Sequence, residues 1–346
     1  MAIVFLMACV IYGFGAYFKA PKAQRWMLIA VLFTAVIGVL LTFPEDHSLR
    51  VALGGSPAPY LIFAGFAAIA LAYRQVLLRL RQRAQNVEPI GVAAKTGGFS
   101  DSELERYARH IVLREIGGMG QRKLKNAKVL VIGAGGLGAP ALQYLAAAGV
   151  GTIGVIDDDV VENANLQRQV IHRDDAIGTP KVFSAQSAML AQNPHIEVRP
   201  YHRRLSLENA STLFAEYELI LDGTDNFDTR YLANRTAVAL GLPLISGALS
   251  QWEGQLSIFD PANGAPCYQC IFPKAPAPEL APSCAEAGVI GPLPGVIGAM
   301  MAQEAIKLIT GAGTVLRGEM LIYDALFGET RKLSLKPRPD CPICGG

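Results

Sequence analysis

Strong charge of either sign is missing from this 346-residue chain. Its 31 basic and 29 acidic side chains leave a formal net charge of +2, which excludes the intense basic field typical of nucleic-acid-binding proteins. Charged residues are also few, at 17% of the sequence, while 51% of the residues are hydrophobic. The shortage of charged residues is confined to one part of the chain, because apolar runs dominate residues up to about 83 and the remainder has the composition of a soluble domain.

Cysteine is missing from residues 10–266, and the histidines form no functional pattern. The six cysteines are Cys9 and five residues between Cys267 and Cys344, a spacing that indicates a metal in a reducing compartment and excludes a disulfide framework. The histidines of the soluble part are His110, His172, His195 and His202. They share no spacing typical of a metal site or a catalytic triad, so we interpret them as surface or core side chains.

Three apolar runs, residues 2–18, 26–43 and 57–79, predict transmembrane helices. A helix that spans a bilayer needs roughly 17–25 residues, so the first two runs are short but sufficient. A buried core hairpin is the alternative, but three such runs leave nothing polar to cover them. The first run lacks a basic start and a small-residue cleavage site, which indicates a retained anchor and excludes a cleaved signal peptide.

Basic residues give the three predicted helices an orientation. Lys19, Lys22 and Arg25 lie between the first two runs, and arginines from Arg74 to Arg83 follow the third. Because cytoplasmic loops are enriched in Lys and Arg, the N-terminus is predicted outside and the rest of the chain in the cytoplasm. The prediction is a multi-pass protein of the inner (cytoplasmic) membrane, in which 1–83 form the anchor, 84–99 a flexible linker and 100–346 the soluble domain.

Residues 128–140 combine a short aliphatic strand, a glycine-rich turn and the start of a helix. Gly133, Gly135 and Gly138 form the pattern G-x-G-x-x-G. Such glycines let the backbone approach a phosphate, and the helix N-terminus favours an anion there. Asp157 ends the next aliphatic run, where an acidic side chain accepts hydrogen bonds from a ribose. The stretch predicts nucleotide binding by a Rossmann-like, doubly wound, mostly parallel α/β sheet, and fits NAD and ATP equally.

Two polar segments follow the nucleotide motif. Residues 158–169 are rich in side chains that bind phosphate, ribose or metal, although a solvated loop would explain any one of them. A predicted strand at 219–221 ends in Asp222-Gly-Thr-Asp225-Asn226. Because an open parallel sheet binds its ligand at the carboxyl ends of its strands, this segment is expected in the same crevice.

Two C-x-x-C pairs, Cys267 with Cys270 and Cys341 with Cys344, form the second strong signal. Four thiolates are the ligand set of a closed, structural zinc site, while redox-active pairs are the alternative. Such a site would pin the C-terminal tail to the rest of the domain. Cys284 is left over, in a stretch rich in Pro, Ala and Gly, and a lone cysteine is more often inert than nucleophilic.

From about residue 100 to the end, the chain resembles the ThiF/MoeB/HesA family of ubiquitin-activating-type adenylyltransferases. The motifs, in order, are Arg-Tyr-Ala-Arg-His, Gly-Ala-Gly-Gly-Leu-Gly, Asn-Leu-Gln-Arg-Gln, Gly-Thr-Pro-Lys, Asp-Gly-Thr-Asp-Asn and the paired cysteines. The resemblance implies a crevice that binds ATP and Mg²⁺ and adenylates the C-terminal Gly-Gly carboxylate of a small ubiquitin-like sulfur carrier. The membrane region is a departure from the family pattern.

The resemblance also implies a role at each matching position. Nucleotide contacts are expected from Gly133, Gly135, Gly136, Gly138, Asp157, Asn165, Leu166, Gln167, Arg168, Lys181, Asp225 and Asn226. The expected catalytic residues are Arg109, Arg168, Lys181, Asp225 and Cys284. Asp225 would hold magnesium, Arg109 would reach the site of a neighbouring subunit in a homodimer, and Cys284 would form an acyl–sulfur link.

Several functional alternatives stay open at this point. The favoured carrier is the small subunit of molybdopterin synthase, with the thiamine-pathway carrier as the alternative. No rhodanese-like segment follows Gly346, so sulfur is expected from a separate sulfurtransferase. An NAD-dependent oxidoreductase would leave Asp225 and the cysteine pairs unexplained. A membrane-tethered scaffold without turnover would not need Arg168, Lys181 and Asp225.

Overall fold

The computed structural model describes residues 2–18, 20–85, 98–276 and 287–345. Two compact units make up the chain, Met1–Ala94 and Lys95–Gly346. Most of the predicted linker, and Cys284, lie outside the described residues.

The first unit is helical. Its helices are α1 (Ala2–Tyr17), α2 (Lys22–Thr42), α3 (Ser48–Ala52) and α4 (Ala58–Gln85). Val4, Val36, Leu40 and Tyr60 form a small buried cluster among them. The Tyr60 hydroxyl donates a hydrogen bond to the carbonyl oxygen of Leu53 at 2.8 Å, which satisfies the polar end of a buried ring.

The prediction of three transmembrane helices is not supported. Within the described residues, one helical segment is long and apolar enough to cross a bilayer: Gln24–Thr42, with 19 residues and a mean hydropathy of 2.1. The apolar part of α1, Ile3–Tyr17, is shorter than the roughly 17-residue minimum for a span. In α4, arginines from Arg74 onward interrupt the apolar run. A single candidate near the N-terminus is weak evidence for a membrane region.

The second unit is built on a mixed sheet. The strands are β1 (Lys128–Ile132), β2 (Thr152–Ile156), β3 (Glu197–Tyr201), β4 (Leu219–Asp222), β5 (Leu244–Leu249), β6 (Glu253–Phe259), β7 (Glu319–Asp324) and β8 (Glu329–Ser334). Their spatial order is β3-β2-β1-β4-β5-β6-β7-β8. The first five are parallel, and β6, β7 and β8 continue the sheet antiparallel. The α/β prediction is confirmed, with a larger antiparallel part than expected.

Helices cover both faces of this sheet. They are α5 (Asp101–Ile111), α6 (Gly117–Asn126), α7 (Gly138–Ala148), α8 (Lys181–Gln192), α9 (Leu207–Phe214), α10 (Phe227–Leu240), α11 (Tyr268–Ile271) and α12 (Pro292–Thr310). One buried apolar cluster includes residues of α7, α8 and α12, and a second includes residues of α9 and α10. Strands buried on both faces read as continuous aliphatic runs, as β1 and β2 do.

The strand order creates a switch point beside β1. The chain proceeds from β1 through β2 to β3 on one side and then returns to place β4 on the other side of β1. The crossover helices diverge there, which opens a crevice at the carboxyl ends of the strands. The nucleotide motif and the Asp222–Asn226 segment both lie at this edge, as the sequence predicts.

Candidate active site

A crevice of about 1240 Å³ opens at the switch point. The residues of interest in its lining are Gly133, Gly135, Gly136, Asp157, Asp158, Asp159, Arg168, Lys181, Asp225, Asn226 and Arg230. The fold therefore gathers side chains from loops after β1, β2 and β4 and from the start of α8. Most of the positions named by the sequence meet in this one place.

The three motif glycines have different duties in the loop between β1 and α7. Gly133 has a φ of 91°, a left-handed conformation that favours glycine. A Cβ at Gly138 would overlap the carbonyl oxygen of Gly133, so the turn itself requires that glycine. A Cβ at Gly135 would lie 3.7 Å from Nε2 of Gln169, an ordinary contact. Gly135 is thus not demanded by packing, and its lack of a side chain leaves room in the crevice.

Asp157 fixes the glycine loop from the end of β2. Its Oδ2 accepts a hydrogen bond from the backbone N–H of Ala134 at 2.7 Å, and its Oδ1 accepts one from that of Asp159 at 2.8 Å. Each carboxylate oxygen has a further lone pair. The same side chain can therefore hold the loop and still accept from a ribose hydroxyl, as the sequence predicts for it.

Lys181, the first residue of α8, brings a buried cation to the crevice. Only 6% of its side chain is exposed, and its Nζ donates to Oδ2 of Asp159 at 2.7 Å. A buried ammonium without a counter-ion is unfavourable, so Asp159 stabilises it before any ligand arrives. The half-buried Arg168 lies on the same wall, where its Nη1 donates to the carbonyl oxygen of Ala164 at 3.1 Å.

The segment between Asp159 and Lys181 contributes less directly than the resemblance implies. Asn165, Leu166 and Gln167 are not part of the crevice lining among the described residues. Asn165 is buried, donates to Glu162 at 3.2 Å and accepts from Nε2 of Gln169 at 2.7 Å. It supports Gln169, which does line the crevice. The expected nucleotide contacts of Asn165, Leu166 and Gln167 stay predictions.

Asp225 and Asn226 follow β4 and lie at the opposite wall. Asp225 is exposed to the crevice, where its hard carboxylate oxygens suit Mg²⁺. Asn226 is the N-cap of α10, because its side chain accepts a hydrogen bond from the N–H of Thr229 at 2.9 Å. The cap fixes where α10 begins and so where Asp225 lies.

Arg230 is a lining residue that the sequence reasoning missed. Its Nη2 donates to the carbonyl oxygens of Thr224 and Gly247, the latter at 2.7 Å, and its Nη1 lies 4.0 Å from the buried Oδ2 of Asp222. The guanidinium thus joins the loop after β4, which carries Asp225, to β5. Helical spacing is the sequence signal that indicates a buried position, because Arg230 shares the buried face of α10 with Ala233 and Ala237.

Of the predicted catalytic residues, one lies away from the crevice and one lies outside the described residues. Arg109 is exposed on α5 and does not line the crevice within the described part of the chain. Its predicted role concerns a neighbouring subunit and stays a prediction. Cys284 lies outside the described residues, so its predicted role is likewise unchanged.

The four paired cysteines come together at α11, packed against Val238 of α10. Their sulfur atoms lie within 4.8 Å of one another, with separations of 3.9 Å for Cys267–Cys270, 3.6 Å for Cys267–Cys341 and 3.4 Å for Cys270–Cys344. A tetrahedral zinc with bonds of 2.3 Å places its sulfur ligands about 3.8 Å apart. The backbone N–H of Arg338 donates to the sulfur of Cys270 at 3.4 Å. The donor set and spacing fit a closed four-thiolate site.

Comparison with known proteins decides the family. Residues 107–343 match the model of the ThiF family. The chain belongs to the ThiF family. The resemblance seen in the sequence motifs is therefore confirmed, and the match takes in β1 to β8 and three of the four clustered cysteines, Cys267, Cys270 and Cys341.

Curated relatives cover the same part of the chain. The sulfur carrier protein adenylyltransferase of Thermus thermophilus is 49% identical over 251 residues, which are 71% of this chain and 93% of that protein. The SAMP-activating enzyme E1 of Haloferax volcanii is 47% identical over 244 residues, 70% of this chain and 90% of that protein. The probable adenylyltransferase/sulfurtransferase MoeZ of Mycobacterium tuberculosis is 50% identical over 247 residues, which span 63% of MoeZ.

Solved structures share the fold of this ThiF-family chain. The crystal structure of E. coli MccB with MccA-N7isoASN superposes with a TM-score of 0.61 at 22% identity, over 72% of this chain and 77% of that one. The crystal structure of E. coli MccB with ATP gives a TM-score of 0.61 at 24% identity, over 69% and 74% of the two chains. At these identities the likeness establishes the α/β architecture alone.

Proposed function

We propose that this ThiF-family chain is an adenylyltransferase that uses ATP to activate the C-terminal Gly-Gly carboxylate of a small ubiquitin-like sulfur carrier. The observation that carries the proposal is the crevice, where Arg168, Lys181 and Asp225 surround the glycine loop. The support from comparison is the 49% identity to a sulfur carrier protein adenylyltransferase along 93% of its length.

The chemistry suits a site made of cations and backbone N–H groups. A carboxylate oxygen of the carrier attacks the α-phosphorus of ATP, a new oxygen–phosphorus bond forms, and the bond to pyrophosphate breaks. Both reactants are anions, so catalysis consists of positioning and charge neutralisation, with Arg168 and Lys181 as the cations. An α-carboxyl group with a pKa of about 3.5 is ionised at neutral pH, so no general base is required.

Magnesium would be held by Asp225, which faces the crevice with exposed carboxylate oxygens. The ion would neutralise phosphate charge and orient the pyrophosphate leaving group. The carboxylates of Asp157, Asp158 and Asp159 approach one another within 4.8 Å on the other wall. In our proposal Asp157 serves the ribose and Asp159 serves Lys181.

Zinc is the metal that we propose for the four-cysteine cluster. Cys267, Cys270, Cys341 and Cys344 would hold it with no open coordination position, so its role would be structural. It would link the C-terminal tail to α11, which is only four residues long and has little stability of its own.

We further propose the partner proteins that the sequence predicts. A homodimer would bring the exposed Arg109 of one subunit to the crevice of the other. The favoured carrier is the small subunit of molybdopterin synthase, with the thiamine-pathway carrier as the alternative. A separate sulfurtransferase would supply sulfur, because adenylation activates the carboxylate without adding sulfur to it.

Attachment to the inner membrane, with the crevice in the cytoplasm, is also a proposal. It is supported by the candidate span in α2 and by exposed apolar side chains of α1 and α4, such as Phe14 and Phe66. Exposed apolar surface on this scale is typical of a segment that contacts lipid or another protein.

ATP–pyrophosphate exchange tests the proposed reaction. The full chain is expected to exchange labelled pyrophosphate into ATP when a Gly-Gly carrier is added, and Asp225→Ala is expected to abolish the exchange. The carrier that supports exchange distinguishes the molybdopterin pathway from the thiamine pathway. ATP binding without exchange for any carrier would favour a scaffold, and NADH-dependent turnover an oxidoreductase; either result would contradict the proposal.

A further inference from the structure

His172 is a buried histidine that lies between the glycine loop and α8. Its Nε2 is 2.9 Å from the carbonyl oxygen of Ala134, and its Nδ1 is 2.9 Å from the hydroxyl oxygen of Ser184. Only 6% of the residue is exposed. Ala134 lies between the first two motif glycines, and Ser184 lies three residues after Lys181. One side chain therefore bridges the two elements that face the proposed phosphate site.

The partners of the imidazole define its tautomer. A carbonyl oxygen only accepts hydrogen bonds, so Nε2 of His172 carries the proton that bonds to Ala134. Nδ1 then accepts from the Ser184 hydroxyl, which is able to donate. Burial lowers the pKa of His172, and the nearby charge of Lys181 acts in the same direction. The neutral ring thus uses both nitrogens at neutral pH.

Ala134 is consequently held on both sides. Its N–H donates to Oδ2 of Asp157 at 2.7 Å, and its carbonyl accepts from His172 at 2.9 Å. Its neighbours Gly133 and Gly135 have the widest conformational freedom of any residue type. Without such a clamp, the loop would lose that freedom only when a ligand binds, and the entropy loss would weaken binding.

We propose that His172 is a positioning residue for nucleotide binding, which fixes the glycine loop relative to the start of α8 so that loop N–H groups and the Lys181 ammonium face the same phosphate. The inference rests on the proposed function, because it takes ATP as the ligand. His172 itself does not touch the nucleotide. Its contribution passes through the carbonyl of Ala134 and the hydroxyl of Ser184.

Two substitutions separate the two contacts of the ring. In His172→Gln, an amide N–H stands four bonds from Cα, as Nε2 does in histidine, so the bond to Ala134 is retained. In His172→Asn, an amide oxygen stands three bonds from Cα, as Nδ1 does, so only the Ser184 contact is retained. His195→Asn is the matched control, because this half-buried histidine contacts Ser102 at 3.3 Å, away from the crevice.

The measurements are the affinity of the full chain for a non-hydrolysable ATP analogue by calorimetry, and kcat and KM for ATP in pyrophosphate exchange. The loss of one hydrogen bond predicts that His172→Asn weakens analogue binding and raises the KM for ATP about tenfold with little change in kcat. His172→Gln is expected within about threefold of wild type, and His195→Asn equal to it. If the Asn variant does not fold, Ser184→Ala, which removes only the bond to Nδ1, is expected to raise the KM for ATP about threefold in a protein that remains folded.

Equal weakening by Gln and Asn would show that the bond to Ala134 is not the determinant, and the inference would be wrong. Lower thermal stability with unchanged ATP affinity would assign His172 to core packing and would also overturn it. If wild-type protein binds the analogue and the variants match it, the inference alone fails. If wild-type protein does not bind the analogue, the proposed function fails and the inference with it.

Discussion

The ion pair between Lys181 and Asp159 places a lysine at the crevice before any nucleotide binds. Because the ammonium neutralises developing phosphate charge in the proposed reaction, Lys181→Met is expected to reduce pyrophosphate exchange by about 100-fold or more. The exchange rate at saturating ATP and carrier is the measurement. The control is Lys332→Met, which removes an exposed lysine of β8 that pairs with Glu319 of β7. Equal loss in both variants would contradict a specific role for Lys181.

Glycines in the nucleotide loop are expected to divide into structural and ligand-facing positions. Gly138→Ala would force a methyl group onto the Gly133 carbonyl, so it is expected to lower thermal stability and abolish ATP binding. Gly135→Ala has room for its methyl in the folded protein and is expected to keep wild-type thermal stability. Its ATP affinity should still fall, by about tenfold, because the backbone can no longer approach the phosphate closely. Unchanged ATP affinity in Gly135→Ala would show that the phosphate lies elsewhere.

Individual site residues differ in how well the sequence marks them. Gly133, Asp157 and Lys181 stand in short motifs whose spacing encodes a local backbone shape, and the structure brings all three to the crevice. His172 and Arg230 act through partners 38 and 17 residues away, at Ala134 and Gly247. A contact between distant segments exists only once the sheet has formed, so no local pattern indicates it.

Among the elements, the carboxylate of Glu103 links α5 to α6. Glu103 completes the capping box at the start of α5 by accepting from the N–H of Ser100 at 2.9 Å, and it accepts from Nζ of Lys125 at 2.7 Å. Burial alone would raise the pKa of Glu103, but the bonds from Lys125 and Ser100 outweigh burial and hold the pKa below its ordinary value. The ionised form is therefore the one that stabilises the fold.

The lowered pKa predicts an acid-dependent loss of stability. A group whose folded pKa is depressed stabilises the fold above its unfolded pKa, about 4.3 for Glu, and this contribution is lost as the pH falls through the folded value. Glu103→Gln is expected to lower the free energy of unfolding by about 1–2 kcal/mol near neutral pH, with the difference from wild type closing below about pH 4. Urea denaturation near neutral pH and below about pH 4 measures the free energy of unfolding of both proteins. Glu105→Gln, an exposed position on α5, should show no such difference; a pH-independent deficit in Glu103→Gln would contradict the account.

The two C-x-x-C pairs join α11 to the C-terminal tail, and the proposed zinc would hold this link. Cys341→Ser is expected to remove the metal, measured as zinc per chain by mass spectrometry, and to lower the thermal midpoint, because a structural site contributes its binding free energy to folding. Cys9→Ser changes an exposed cysteine of α1 and is expected to affect neither quantity. Wild-type protein that contains no zinc after purification without chelators would contradict the assignment.

Elements differ in predictability for a physical reason. The β1–α7–β2 segment follows from aliphatic runs separated by glycine, and the structure has the same order. Of the two late strands, only β8 lies at the edge of the sheet, while β7 pairs with both β6 and β8. Strand identity is local, whereas neighbours in a sheet are set by the whole chain. Three apolar runs also suggested three spans, although the apolar part of α1 is too short to cross a bilayer.

At the scale of the molecule, the two units allow a division of roles. The crevice and the cysteine cluster both lie in the unit Lys95–Gly346. Removal of residues 1–94 is therefore expected to leave carrier-dependent exchange intact while moving the protein from the membrane fraction to the soluble fraction after cell lysis. A folded truncated protein without exchange would assign the first unit a catalytic role, and a soluble full-length protein would refute the proposed anchor.

The architecture of the second unit was predictable because six motifs in order describe one family, and family membership carries the fold with it. The first unit has no such motifs, and hydropathy reports only the length of an apolar run. It does not report whether neighbouring helices cover that run, as Val4, Val36, Leu40 and Tyr60 do in part by packing together. Hydropathy alone therefore does not fix the number of spans.

The most direct test of the central claim is the mass of the carrier itself. Wild-type protein, ATP, Mg²⁺ and a Gly-Gly-ended carrier are incubated with pyrophosphatase, and the intact carrier is analysed by mass spectrometry. We expect a carrier population heavier by one adenylyl group (AMP less one water) at its C-terminal carboxylate, formed only with ATP and not by Asp225→Ala protein. A carrier whose mass stays unchanged, while the protein still binds ATP and the carrier, would contradict the account.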